Sequence, residues 1–466
     1  LKDKHGLLSA PVSQVMTKMA VPMGYGLLAV LGFSLVDTYF VSLLGTQALA
    51  AISFTFPVTF FVSALAMGLG TGLSACLARL LGQGQHQDAA RLTSDGLLLA
   101  LTTVLIVAVL GISTIQPLFR LLGASDTLMV YIQDYMFYWY VAIPFLVIPM
   151  VGNAAIRATG DTKTPSRVMI TAGFMNGLLD PLLIFGLGPF PELGVKGAAI
   201  ASGLSWLITF AVAIYLLRYR EQLLLLTKPN LANMLKNWRK IAAIGMPASI
   251  TNMLSPVNNA FVMWQLAAFS TTAVAAYGAG TRLEAILLIG MIAVSSMLAP
   301  FIAQNSSANK PQRCLTAIRL AIRYSLISQL SIYLLIALTA PYIATLFSDD
   351  SAVITHLSLY LYIIPASFAM QGIMMAIASS LNGFNRPISA LSLSVLRSLL
   401  IISLSSIGGF YYGEKGIFVG IASANVLVGL VALYYAQKLQ LELRDELSKQ
   451  RDNELREQLN KSLDSA

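Results

Sequence analysis

Residues Met23–Leu44 read MGYGLLAVLGFSLVDTYFVSLL and residues Val168–Phe185 read VMITAGFMNGLLDPLLIF, two apolar runs that each carry one charged side chain, Asp37 and Asp180. Runs of this length cross a bilayer as helices. A carboxylate at that depth costs at least ~2.5 kcal/mol on insertion scales, so a chain that carries one has placed it in a cavity or beside a partner, and an ion or proton pathway is the usual reason.

Outward from these two runs the pattern repeats. The chain has 466 residues, 56% hydrophobic and 11% charged, with a mean hydropathy of +0.73, outside the range of water-soluble domains. Apolar stretches fall at 17–44, 48–78, 92–115, 127–156, 166–186, 195–217, 241–268, 273–303, 314–340, 351–380, 388–408 and 416–437, which predicts an all-α integral membrane protein of twelve transmembrane helices. The net charge of +9 is a topology signal rather than the mark of a nucleic-acid partner. With both termini cytoplasmic, 25 of the 30 Lys and Arg lie inside, among them Lys2, Lys4, Lys18, six in 218–240 and six in the tail; Arg120, Lys196 and Lys415 lie outside, and Arg282 and Arg397 lie within spans. The first apolar stretch has no small-residue cleavage site and is expected to be retained. Cys76 and Cys314 stand apart near span ends, which predicts neither a disulfide nor a metal site.

The two halves echo each other at an offset of about 220 residues. Pro22 matches Pro247, Ala48–Ala51 matches Ala273–Ala276, Tyr135 matches Tyr360, Ile143-Pro144 matches Ile364-Pro365, Gly160 and Pro165 match Gly383 and Pro387, and Gly194–Gly197 matches Gly413–Gly416. Two pseudo-symmetric six-helix lobes follow, 1–217 and 241–437, joined by a cytoplasmic linker at 218–240 and followed by a charged tail at 438–466. Because six is even, both lobes enter the membrane from the same side, the parallel-repeat transporter plan.

Specific motifs narrow the family. VDTYFV at 36–41, GLGTGLSACLARLLGQG at 68–84, NAAIRATGDTKTP at 153–165 and N-x-x-x-D-P at 176–181 together resemble the multidrug and toxic compound extrusion (MATE) family over residues 10 to 437. An Asp in the first span with N-x-x-x-D in the fifth is similar to its DinF branch; the branch with acids on the seventh and tenth spans fits poorly, since 241–268 contains no acid and the tenth span offers Gln371. The resemblance implies a multi-pass protein of a bacterial inner membrane, no enzyme, monomeric and without cofactor, that exports small amphipathic and often cationic drug-like compounds in exchange for protons, as in antibiotic resistance.

Depth counting pairs the two acids. Asp37 lies about eight residues, ~12 Å, and Asp180 about six residues, ~9 Å, from the outer ends of their spans at ~1.5 Å per residue. Asn176 stands four residues before Asp180 on the same helix face, and Tyr135 enters the same level from the fourth span. Asp37, Asn176, Asp180 and Tyr135 are therefore the expected ion-coupling cluster, matching the one the resemblance implies, with Pro22 as the hinge that bends the first span. Two carboxylates in one low-dielectric pocket cannot both ionise cheaply, which suits a proton carrier. The same oxygens could hold sodium, but the early sixth span reads Gly197-Ala-Ala-Ile-Ala201, with Ser202 the nearest hydroxyl, and this favours protons.

Each residue also has a plainer reading. Either Asp could pair with Arg397, Asn176 could bridge helices, Tyr135 could pack within the aromatic run 135–140, and Pro22 could be a tolerated kink. Asn153, Phe60 and Met67 are candidates to line a substrate cavity. Arg282 and Glu284, two apart on the eighth span, do not face each other. His5, His86 and His356 lie near span ends or in loops, which argues against a histidine relay. A lipid-linked sugar flippase would need a more basic cavity than Arg282 and Arg397 supply, and the spans hold no metal or Ser–His spacing of an intramembrane enzyme. Leucines at four-residue spacing in the tail predict an amphipathic extension of the last span.

Overall fold

The computed structural model describes residues 5–225 and 230–464; Lys2, Lys4 and Lys228 of the charge count lie outside them. Among the described residues the regular structure is helical: α1 (Val12–Ser42), α2 (Thr46–Gly82), α3 (His86–Leu121), α4 (Asp126–Ala158), α5 (Lys163–Ile184), α6 (Val195–Tyr215), α7 (Leu231–Ala267), α8 (Thr271–Leu287), α9 (Ile289–Ser307), α10 (Pro311–Thr345), α11 (Ser351–Ile363), α12 (Phe368–Gly383) and α13 (Pro387–Asp464). Helices are the physical answer to apolar runs of this length, because in lipid every backbone N–H and C=O must be satisfied within the segment.

Four predicted spans differ in detail. The eighth is broken at Leu288 into α8 and α9, and the tenth at Pro365–Ser367, a 3-10 turn between α11 and α12 where Pro365 has no N–H to continue the ladder. The eleventh and twelfth are parts of α13, interrupted at Gly413, whose φ of 59° and ψ of −145° suit a residue without Cβ. Counting α8–α9 and α11–α12 as one span each and α13 as two gives the twelve-helix arrangement. Beyond the last span, α13 continues without interruption through the predicted tail. Leu439 and Leu443 are buried, and Glu442 forms a two-pronged ion pair with Arg386. The side chains of Leu455, Leu459 and Leu463 lie outside the described residues.

The chain divides into two compact units, Lys18–Met253 and Leu254–Ala466 together with Leu1–Thr17. These boundaries depart from the expected 1–217 and 241–437. The reason is local: the stretch read as a linker is built into the first unit. Leu225 N donates to Ser94 Oγ (2.8 Å), Asn237 Nδ2 to the carboxylate of buried Asp95 (2.7 Å), and Trp238 Nε1 to the Asp95 carbonyl (2.7 Å). In the second unit the opening residues are held likewise, since Asn305 Nδ2 and Arg313 Nη2 donate to the Leu7 carbonyl at 3.2 and 2.8 Å.

Candidate ion-coupling site

In the first unit α1 lies directly on α5, and glycine makes this possible. A Cβ at Gly173 would overlap the Phe33 ring, and one at Gly26 would fall 2.9 Å from the Ser166 hydroxyl. The same crossing lets Ser166 Oγ donate to the carbonyl of Pro22 at 2.5 Å, tying the kink in α1 to the start of α5.

One end of this crossing carries the acids. Asp37 is half-buried and Asp180 fully buried, and their carboxyls are within hydrogen-bonding reach of each other. Asn176 Nδ2 donates to Asp180 Oδ1 at 3.2 Å and to Ser202 Oγ at 3.2 Å. The second Asp180 oxygen is buried and accepts from no N–H or hydroxyl among the described residues. With one of the two acids protonated, a carboxyl–carboxylate hydrogen bond would partner that oxygen. Tyr135 packs against the buried cluster that includes Val41, Ile184, Val195 and Ala198 and lies near both carboxylates, with no hydrogen bond to either among the described residues.

The structure thus brings Asp37, Asn176, Asp180 and Tyr135 together and adds Ser202, which the sequence reading set aside. Helical side chains lean toward the N-terminus, so Ser202 covers the level of Ala198, one turn earlier. Asn153 is buried with its Oδ1 unpartnered, whereas Phe60 and Met67 lie on an exposed face of α2, seven residues apart. Within the second unit Arg397 Nε donates to Asn425 Oδ1 at 2.8 Å.

A second polar network, unexpected as a unit, lies in the second unit. The Glu284 carboxylate accepts from Tyr360 Oη (3.0 Å) and Gln371 Nε2 (3.1 Å), and Asn425 Nδ2 donates to Ser367 Oγ (2.9 Å) and Gln371 Oε1 (3.3 Å). Arg397 and Glu284 share a cavity of about 20 Å³ with Tyr277, Tyr360, Asn258 and Val262. Arg282 is exposed and takes no part. Glu284, Arg397 and Gln371 each stood out in the sequence; that Gln371 and Asn425 join the two charged residues did not.

Two six-span halves, each enclosing a buried polar cluster, define a membrane transporter rather than an enzyme. The chain belongs to the MATE family: the MatE family model matches it twice, at residues 22–182 and 247–407, which also restates the internal repeat. The chain is 44% identical over 440 residues to the FAD transporter of Shewanella oneidensis, covering 94% of this chain and 97% of that one. It is 26% identical to the multidrug export protein MepA of Staphylococcus haemolyticus, over 92% and 94% of the two chains. Among solved structures, the MATE transporter VcmN of Vibrio cholerae in its bent form superposes with a TM-score of 0.87 at 28% identity, covering 93% of this chain and 98% of that one.

Proposed function

We propose that this chain exports a flavin dinucleotide, FAD or a close analogue, across a bacterial inner membrane, driven by protons that enter through the Asp37–Asp180 pair. The observation that carries the substrate is the 44% identity to a FAD transporter over nearly the whole of both chains, against 26% to a multidrug exporter. FAD keeps the amphipathic character expected from the sequence, with two flat ring systems, but its pyrophosphate makes it an anion. The proton reading is supported by the acid pair, whose second Asp180 oxygen is buried and would gain a partner from a shared proton.

Charge sign separates this from the multidrug reading, which the MepA likeness supports. An inside-negative potential helps an anion out and hinders a cation, by ~2.3 kcal/mol per charge per 100 mV. In proteoliposomes, FAD flux should rise when a potassium–valinomycin potential is added to a pH gradient, continue without sodium, and stop with Asp37→Asn. Transport of a cationic dye with no FAD flux would establish the multidrug reading instead. Flux sustained by sodium with a protonophore present would make the acid pair a sodium site.

A further inference from the structure

A cleft of about 470 Å³ opens at the end of the first unit where α3 finishes and α4 begins, the end nearer Asp37, and it belongs to neither polar cluster. Its floor holds a charge pair, Lys196 Nζ on α6 and Asp134 Oδ1 on α4, 3.2 Å apart, with both side chains about 40% exposed (42% and 38%). Gln116 and Gln133 add uncharged polar groups, and Phe137 and Tyr138 form an aromatic wall. The volume is that of a small-molecule site.

Two features select the class of occupant. The adjacent base and acid match a head group that is itself a zwitterion, phosphate toward Lys196 and ammonium toward Asp134. Deeper along the same helices the surface turns apolar and exposed: Ile112 and Val109 follow on α3, and Phe137 and Val141 on α4, spaced three to four residues apart and so on continuing faces. A ligand fitting both parts has a charged head at the end of the spans and hydrocarbon chains running down them. We infer that the cleft is a binding site for a phospholipid with a phosphoethanolamine head. This assignment is independent of the transported substrate.

The discriminating chemistry is the ammonium. A primary ammonium can donate to Asp134, a trimethylated one cannot, and a glycerol head has no cation. The purified protein is titrated with phosphatidylethanolamine, phosphatidylcholine and phosphatidylglycerol and read by native mass spectrometry. Phosphatidylethanolamine should be retained about tenfold better than the other two, the equivalent of one charge-assisted hydrogen bond. Asp134→Asn should erase that preference, while Lys196→Gln should weaken both phosphatidylethanolamine and phosphatidylglycerol. Both side chains are part-exposed, so both variants should fold; wild-type melting temperatures check this. Water-soluble glycerophosphoethanolamine at equal concentration should not compete. Equal retention of the three lipids, preference unchanged in Asp134→Asn, or full competition by the soluble head group would each overturn the assignment, the last by making this a site for a free phosphoester.

Discussion

The two halves carry the same fold and answer the same problem differently. Each places acid near the fourth-span tyrosine, Tyr135 in one and Tyr360 in the other. In the first half two acids meet an amide and a hydroxyl with no base among the described residues, so a proton or a bound cation is the expected counter-charge. In the second half the single acid, Glu284, shares its cavity with Arg397 and holds two donors of its own. At the repeat offset given by the family match, Asp37 falls on Val262, a buried residue of that cavity. A cluster that is incomplete without an ion can couple to one; a cluster that is already neutral holds helices together. The proposed coupling is accordingly expected of the first half, and a structural role of the second.

The strongest way to break this assignment is to neutralise one acid in each half. Asp37→Asn preserves shape and removes the titration, so gradient-driven flux in proteoliposomes should fall to background while the protein inserts and melts as wild type. Glu284→Gln should keep substantial flux. If the two variants lose transport equally, coupling is shared and the division fails.

Next in size is the structural role of the second network. Arg397→Met takes the base out of the cavity it shares with part-buried Glu284, a loss of about 1–3 kcal/mol. Adding Glu284→Gln should recover much of it, because a neutral amide needs no counter-charge and members of one network are not additive. Thermal melting of the two single variants and the double variant measures this. Additive losses would show that Arg397 and Glu284 act separately.

How much of this could be read from the sequence depends on whether a residue is conspicuous alone. Asp37 and Asp180 are isolated charges in apolar runs, and Asn176 is one helical turn from Asp180, so depth counting alone placed them together. Ser202 escaped because the reading compared residue numbers rather than the direction in which a helical side chain leans. The second network escaped because its parts, at 284, 360, 371, 397 and 425, come from four helices, and an amide or tyrosine in a membrane span is unremarkable until its partner is known. The break at Pro365 had a visible cause, whereas Leu288 is no helix breaker. The seating of the expected linker was not legible, because six basic residues in 218–240 signal only which side of the membrane they occupy, while Asn237 and Trp238 seat the start of α7 on Asp95.

A smaller effect tests the hinge. Ser166→Ala removes the hydroxyl that holds the Pro22 carbonyl, costing about 0.5–1.5 kcal/mol. If the tie restrains bending of α1, protease accessibility of that helix should become less dependent on pH in the variant, with flux changed severalfold at most. An unchanged pH dependence would leave Pro22 a fixed kink.

The smallest difference lies where the halves place the same ion pair with its charges exchanged. In the first, Asp161 in the loop before α5 accepts from Arg220 at the end of the sixth span, at 2.8 Å; in the second, Arg386 in the matching loop donates to Glu442 on α13, at 2.7 Å. Asp161 is buried (4% exposed) and also accepts from Thr164 N and Thr164 Oγ1, so it caps the start of α5. Arg386 and Glu442 are both substantially exposed (44% and 38%), and the helix that follows begins at Pro387, which has no N–H to cap. Arg386→Ala should therefore cost about 0–1 kcal/mol, and Arg220→Ala about 1.5–3 kcal/mol, the worth of a hydrogen bond to a charged group. Exchanging the charges in the first half, Asp161→Arg with Arg220→Asp, restores opposite charges but leaves the α5 start without its acceptor, a loss of ~1 kcal/mol for a missing cap. That double variant should melt below wild type, and one that melts at the wild-type temperature would show that the loop acid serves only the ion pair.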